Sequence, residues 1–255
     1  MRLLTAKKAA FAAVAFGLLT YTNTQAQELP KPPKMVPEMT EFWEPEVRSV
    51  TPGANATDAP SDALVLFNGK DLSQWKAKEG GGEAKWQVKD KTFVVGKGDI
   101  STKKEFGDFQ LHLEWSAPDE VKGESQGRGN SGIFLQDRYE VQVLDNYNNR
   151  TYSNGQVGSI YKQHRPLVNS IRKPTEWNVY DIIYTAPRFK EDGSVFTPAR
   201  ATVLLNGVLL QNNVEIKGPT EYIGLPEYKA HGKAPITLQD HGNPVQYRNI
   251  WIREL

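Results

Sequence analysis

Glu140, Gln142 and Asp145 lie close together in a stretch that alternates apolar and polar residues. Alternation puts Tyr139, Val141 and Val143 on one side of a strand and Glu140 and Gln142 on the other. Arg128, Asn130 and Ser131 stand just ahead of the preceding apolar run. A second alternating stretch, Phe109–Trp115, sets Gln110, His112 and Glu114 opposite four apolar residues. His241 falls at a turn, and Tyr161 and Lys162 fall in a long loop between Tyr152 and Arg172. Loops of that length are uncommon in compact domains unless they are functional. Carboxylates and an imidazole on one surface can move protons, and amides and cations can hold a polar substrate. The bland alternative is an ordinary solvated face, which antiparallel sheets commonly carry.

These side chains need strands to position them. Ser131–Gln136 and Tyr139–Leu144 read as a hairpin joined through Asp137 and Arg138. Further strands are expected at Leu64–Phe67, Lys85–Lys89, Thr92–Val95, Phe109–Trp115, Trp177–Thr185, Arg200–Leu205, Val208–Asn212, Ile236–Gln239 and Gln246–Arg253. Turn residues punctuate them, and Asn206-Gly207 between two VLL runs is a strong short-hairpin signal. In the last strand Tyr247, Asn249, Trp251 and Arg253 are expected on one face, with Ile250 and Ile252 on the other. No long stretch shows a 3.6-residue apolar period. The pattern predicts an antiparallel β-sandwich.

The 255 residues carry 31 basic and 30 acidic side chains, with no basic stripe, so nucleic acid is not an expected partner. The chain has no cysteine, which excludes disulfides, thiolate catalysis and cysteine-based zinc sites. Met1–Ala26 has a positive start, an apolar stretch over Ala9–Leu19 and a small-x-small end at Thr24-Gln25-Ala26. It reads as a secretory signal, with mature protein starting near Gln27. The apolar stretch is shorter than the ~20 residues a membrane span needs, so stable membrane insertion is not expected. An exported chain without disulfides suits a Gram-negative periplasm or the extracellular space. The segment 27–60 holds seven of the sixteen prolines and is expected to run extended, with Met39, Phe42 and Trp43 docked on the domain that follows.

LFNGKDLSQW, FQLHLEW, GNSGIFLQ, YEVQVLDN, GSIYKQ, WNVYDIIY, LNGVLL and ITLQDHGNPVQYRNIWIREL occur here in that order. In this combination the chain resembles the 3-keto-disaccharide hydrolase domain family over Ser61–Leu255. The resemblance implies a single domain with a concanavalin A-like, jelly-roll sandwich. It also implies action on glycosides whose sugar is oxidised to a ketone at C3, and export from a bacterium. Members are described both as hydrolases and as lyases. A weaker likeness links Glu140-Val-Gln142-Val-Leu-Asp145 to the E-x-D-x-x-E motif of laminarinase-type glycosidases. Here the middle carboxylate is an amide and the last is shortened, which weighs against a two-carboxylate mechanism.

A ketone at C3 acidifies the hydrogen on C2. Such chemistry needs a base near C2, a group to stabilise the enolate oxygen and an acid near the leaving oxygen. His241 is the first candidate base, with a turn histidine bonded to backbone as its bland reading. Glu114 and Glu140 are alternative bases or supports. Asp145 is expected to orient His241 or to act as the acid. Arg128 and Lys162 are candidates for the enolate oxygen, with salt bridging as the alternative, and Asn130, Gln142 and Tyr161 for sugar hydroxyls. His112 with Glu114 leaves a divalent metal as an alternative cofactor, without a diagnostic spacing. The rival functions are a carbohydrate-binding module without catalysis and a conventional β-glucanase.

Overall fold

The computed structural model describes residues 32–255, and the signal-like stretch Met1–Ala26 lies outside them. Two units are distinguished, one ending at Arg48 and one spanning Ser49–Leu255. In the first, the described residues contain a short 3-10 turn at Pro37–Met39 and are otherwise irregular, as their prolines require. Phe42 and Trp43 are 91% and 84% exposed.

The second unit is a two-sheet antiparallel sandwich of the jelly-roll type, as the alternating strands required. The larger sheet runs in the order Val208–Glu215, Arg200–Leu205, Asn178–Thr185, Phe109–Ser116, Gln246–Glu254, Thr92–Val94 and Gln87–Lys89, with Leu64–Phe67 also paired to Gln246–Glu254. The smaller runs Trp75–Ala77, Ile100–Thr102, Thr237–Leu238, Ser131–Leu135, Tyr139–Val143. A two-stranded ribbon, Arg188–Phe189 with Val195–Thr197, stands apart. The short strands Trp75–Ala77, Ile100–Thr102, Arg188–Phe189 and Val195–Thr197 are additional to those expected.

The inward faces are those the alternation assigned. Phe109, Leu111, Leu113 and Trp115 of the large sheet and Tyr139, Val141 and Val143 of the small one join a single core. Removing such surface from water is the main force that closes the sandwich. Leu205 and Val208 pair across Asn206-Gly207, whose backbones both take positive φ, as a two-residue hairpin turn demands. The Ser131–Val143 hairpin turns through Gln136 and Asp137, both at positive φ without being glycine. Gln136 is held there by its buried amide, which donates to the Phe106 carbonyl and accepts from the Tyr184 hydroxyl.

One facing assignment is corrected. The last strand carries a bulge between Arg248 and Trp251, with Asn249 at φ 46°. The extra residue resets the alternation. Tyr247, Ile250 and Ile252 therefore all join the core, while Trp251 stacks on His112 outside it, ring centroids 5.0 Å apart.

Candidate active site

The outward face of the Ser131–Val143 hairpin floors a cavity of about 240 Å³, lined by Gln126, Asn130, Phe134, Glu140, Gln142, Tyr161, Thr220, Tyr222, Gln239 and His241. Five residues singled out from the sequence thus meet there: Asn130, Glu140, Gln142, Tyr161 and His241. The cavity is smaller than the ~300–1,000 Å³ of drug-sized sites and suits a small polar ligand.

Glu140 is 5% exposed, and among the described residues its carboxyl has no hydrogen-bond or ion-pair partner. Burial, with the negative charge of Asp99 adding, pushes this carboxyl up to about 8. The space it occupies is left by Gly132 on the neighbouring strand, where a Cβ would fall 2.5 Å from Glu140 Oε1. Gln142 lies beside it, 1% exposed. Its Nε2 donates to Gln126 Oε1 and to Asn130 Oδ1, both at 3.1 Å. Asn130 Nδ2 and Gln126 Nε2 are likewise committed, the former to the Gln126 carbonyl and the latter to Thr151 and Gly155. Gln142 Oε1 is then the buried cavity atom left without a partner among the described residues. It can be satisfied only by a donor, such as a hydroxyl.

The long loop after Tyr152 explains its length here. It lies along the free edge of Tyr139–Val143, exchanging Gly158 N–H to Gln142 O, Gln142 N–H to Ser159 O and Tyr161 N–H to Glu140 O. That register delivers Tyr161 to the cavity wall. Opposite, Gln239 N–H bonds the Gly132 carbonyl, and Asp240 is bound by the Gly98 and Gly242 amides while its own N–H bonds Asp99. Asn243 Oδ1 receives the Gly129 amide. This turn holds His241 at the cavity rim, where its ring has no hydrogen-bond partner among the described residues.

Other candidates fall elsewhere. Glu114 is on the outward face of the large sheet, so the core separates it from Glu140, which corrects the expectation that the two strands present their carboxylates on one surface. It belongs to an ion-pair network with Arg248 Nε at 2.6 Å and Asn249 Nδ2 at 2.9 Å. Burial opposes its charge, but hydrogen bonds from His112, Asn249 and Arg248 outweigh burial and hold it at about 2. His112 Nδ1 is 2.7 Å from Asp181, and the ring's own burial is likewise outweighed, so its pKa is raised. Among the described residues no three His, Asp or Glu converge as a metal ligand set, around His112 and Glu114 or elsewhere.

Asp145 accepts a 2.7 Å hydrogen bond from Arg128 Nε and a second from the Tyr147 amide, while Arg128 also donates to the Tyr147 carbonyl. The pair borders a neighbouring cleft with Gly242, Asn243 and Pro244, and Asp145 does not bond His241. Ser131 faces the core, accepting from Tyr247 and donating to the Gln239 carbonyl. Lys162 does not line the cavity; its ammonium donates to the Tyr222 carbonyl and sits 4.3 Å from that ring's centroid.

Gln126, Phe134, Thr220, Tyr222 and Gln239 were missed. Phe134 could have been found, because it pairs directly with Glu140 across the hairpin. Thr220 and Tyr222 sit in an irregular loop without a period to read.

Residues 62–253 match the model of the 3-keto-alpha-glucoside-1,2-lyase-like domain. A crystal structure from Parabacteroides distasonis ATCC 8503, carrying a provisional glycosyl hydrolase name, is 60% identical. It covers 87% of this chain and 97% of its own, with a TM-score of 0.83. A second protein from the same organism, with the same provisional name, shares the fold at 24% identity and a TM-score of 0.57, over 76% of this chain and 94% of its own. Comparison with curated proteins gives no match. The family expected from the ordered motifs is therefore the one found: the chain belongs to the 3-keto-alpha-glucoside-1,2-lyase-like family.

Proposed function

We propose that the protein is an exported enzyme that cleaves the glycosidic bond of 3-keto-glucosides by elimination. The observation that carries this is the unpaired, buried Glu140 carboxyl beside the orphaned Gln142 Oε1, both facing one cavity. A base takes the C2 proton, and its electron pair forms the enolate with the C3 oxygen. The enolate then collapses, restoring C3=O and forming C1=C2 as the C1–O bond breaks, and the leaving oxygen takes a proton. Adding water across C1=C2 gives the free 3-keto sugar, which is net hydrolysis.

His241 serves as the base, since its ring is unengaged at the rim. Glu140 serves as the acid, because a carboxyl held up at about 8 keeps its proton at neutral pH. The acid role thereby passes from Asp145, which is spent on Arg128, to Glu140. Gln142 Oε1 receives a sugar hydroxyl. Two rival readings fit less well. Glu140 is the one carboxylate among the cavity-lining residues, whereas a β-glucanase needs two flanking the bond. A simple binding module has no use for a buried, unpaired acid, which costs stability.

The test is incubation with a 3-keto-glucoside and with the same glucoside unoxidised, each deuterated at C2. Cleavage of the keto compound alone, slowed by the deuterium, is expected. Rapid cleavage of the unoxidised glucoside with full retention of deuterium would sink the proposal. The kcat/KM profile should fall as pH rises through about 8 and Glu140 loses its proton. A profile that rises through that pH would reverse the two roles.

A further inference from the structure

The cavity has two unlike sides. Its floor is the amide network of Gln126, Asn130 and Gln142 with the Glu140 carboxyl. The other side is aromatic, with Tyr161 and Tyr222. From Tyr222 the apolar surface continues outward along the same loop: Tyr222, Ile223 and Leu225 are 71%, 82% and 91% exposed. Three adjoining large apolar side chains left in water beside a polar cavity mark a binding surface.

The loop is fastened at both ends of this wall. Lys162 donates to the Tyr222 carbonyl, and its ammonium lies within 5.8 Å of the ring centroids of Tyr152, Tyr161 and Tyr222. Thr220 Oγ1 donates to the Arg138 carbonyl and accepts the Glu140 amide.

Tyr152, Tyr161, Thr220 and Lys162 on this side already have partners, and the Tyr222 hydroxyl alone of these wall residues has none among the described residues. Tyr152 and Tyr161 bond each other through their hydroxyls at 2.8 Å, Thr220 is used twice, and Lys162 is spent on a carbonyl and on ring faces. A second sugar would bring several hydroxyls to a wall whose outer part, the side chains of Ile223 and Leu225, offers them no partner, and desolvating them there is costly. An apolar ring would meet ring and aliphatic surface. The floor is the reverse, with the unpartnered acceptor Gln142 Oε1 calling for a hydroxyl.

From this asymmetry we infer that the Tyr222–Leu225 loop is the leaving-group subsite and takes an apolar, ring-bearing aglycone in preference to a second sugar. This rests on the sugar binding on the floor, as in the proposed function, but its test needs no cleavage. Phenyl α-glucoside and α,α-trehalose are unoxidised glucosides that differ in the group at C1. Their affinities are measured by calorimetry for the wild-type protein, Tyr222→Ala and Leu225→Ser. Phenyl α-glucoside is expected to bind about tenfold more tightly than trehalose, the scale of one buried apolar group. Either substitution, at an exposed site that leaves thermal unfolding unchanged, is expected to bring the two affinities together. Equal or tighter trehalose binding, undetectable binding of the phenyl compound, or an unchanged ratio in both variants overturns the inference. Failure to cleave any 3-keto-glucoside would instead strike the proposed reaction and leave this result standing.

Discussion

Glu140→Gln should make the protein more stable while removing its activity, and the gain should grow with pH. The wild-type carboxyl ionises freely at about 4.5 when unfolded but only at about 8 when folded, because burial and then Asp99 oppose its charge. A folded pKa raised in this way means the folded state holds the proton more tightly. Stability attached to the group is fully present below pH 4.5 and is lost as pH rises towards 8. Each pH unit in that window costs about 1.4 kcal/mol, so at pH 7 the burden is about 3 kcal/mol. In a domain of this size that corresponds to roughly 10 °C in Tm. Glutamine keeps the shape without the charge. The assay is thermal unfolding of both proteins from pH 4 to 8.5, reading the difference in Tm, so that titration of His112 and Glu114 cancels. The curves should coincide near pH 4 and separate steadily above 4.5. A pH-independent gap, or a glutamine variant less stable at pH 7, would refute the assignment of Glu140 as a buried, unpaired acid.

Gly132→Ala should cut kcat about 100-fold with little change in Tm, the scale of displacing a catalytic group by an ångström; its Cβ would fall 2.5 Å from Glu140 Oε1, and wild-type kinetics would refute this. Glu114→Gln should leave kinetics intact and cost about 2–3 kcal/mol of stability at neutral pH, after allowance for the half-exposed Arg248. Because the folded carboxyl is held at about 2, that stability is present above about 4.5 and lost as pH falls towards 2, so acid unfolding should show the difference vanish. Lys162→Met should raise KM more than it lowers kcat and speed proteolysis after Tyr222, since the loop loses its fastening; protease resistance equal to wild type would count against that role.

The strands that build the core were legible because alternation over five or more residues states which side is buried. Alternation does not say which sheet a strand joins. Glu114 and Glu140 each sit opposite apolar neighbours in sequence, so both read as one polar surface, although the sandwich turns their faces away from each other. The bulge at Asn249 was invisible for a related reason: one residue at positive φ shifts the pattern without changing composition. His241, Asn130 and Gln142 could be found from their types beside turns and strands. The roles of Arg128 and Asp145 could not, because a cation and a carboxylate near a site look the same whether they meet a substrate or each other. The wall formed by Tyr222 depends on where an irregular loop returns across the hairpin.

The dry layer between the two sheets, ~10 Å thick in sandwiches of this kind, also acts as an insulator. On one outer surface lies a charge network built for durability, centred on Glu114, Arg248 and His112. On the other lies a group kept deliberately without a counter-ion, Glu140. Substitutions in one should add to substitutions in the other without interaction. The durability lost to chemistry on one surface can then be recovered on the other. Such an arrangement leaves the cavity free to change its substrate over evolutionary time, or in the laboratory, while the opposite surface keeps the molecule folded.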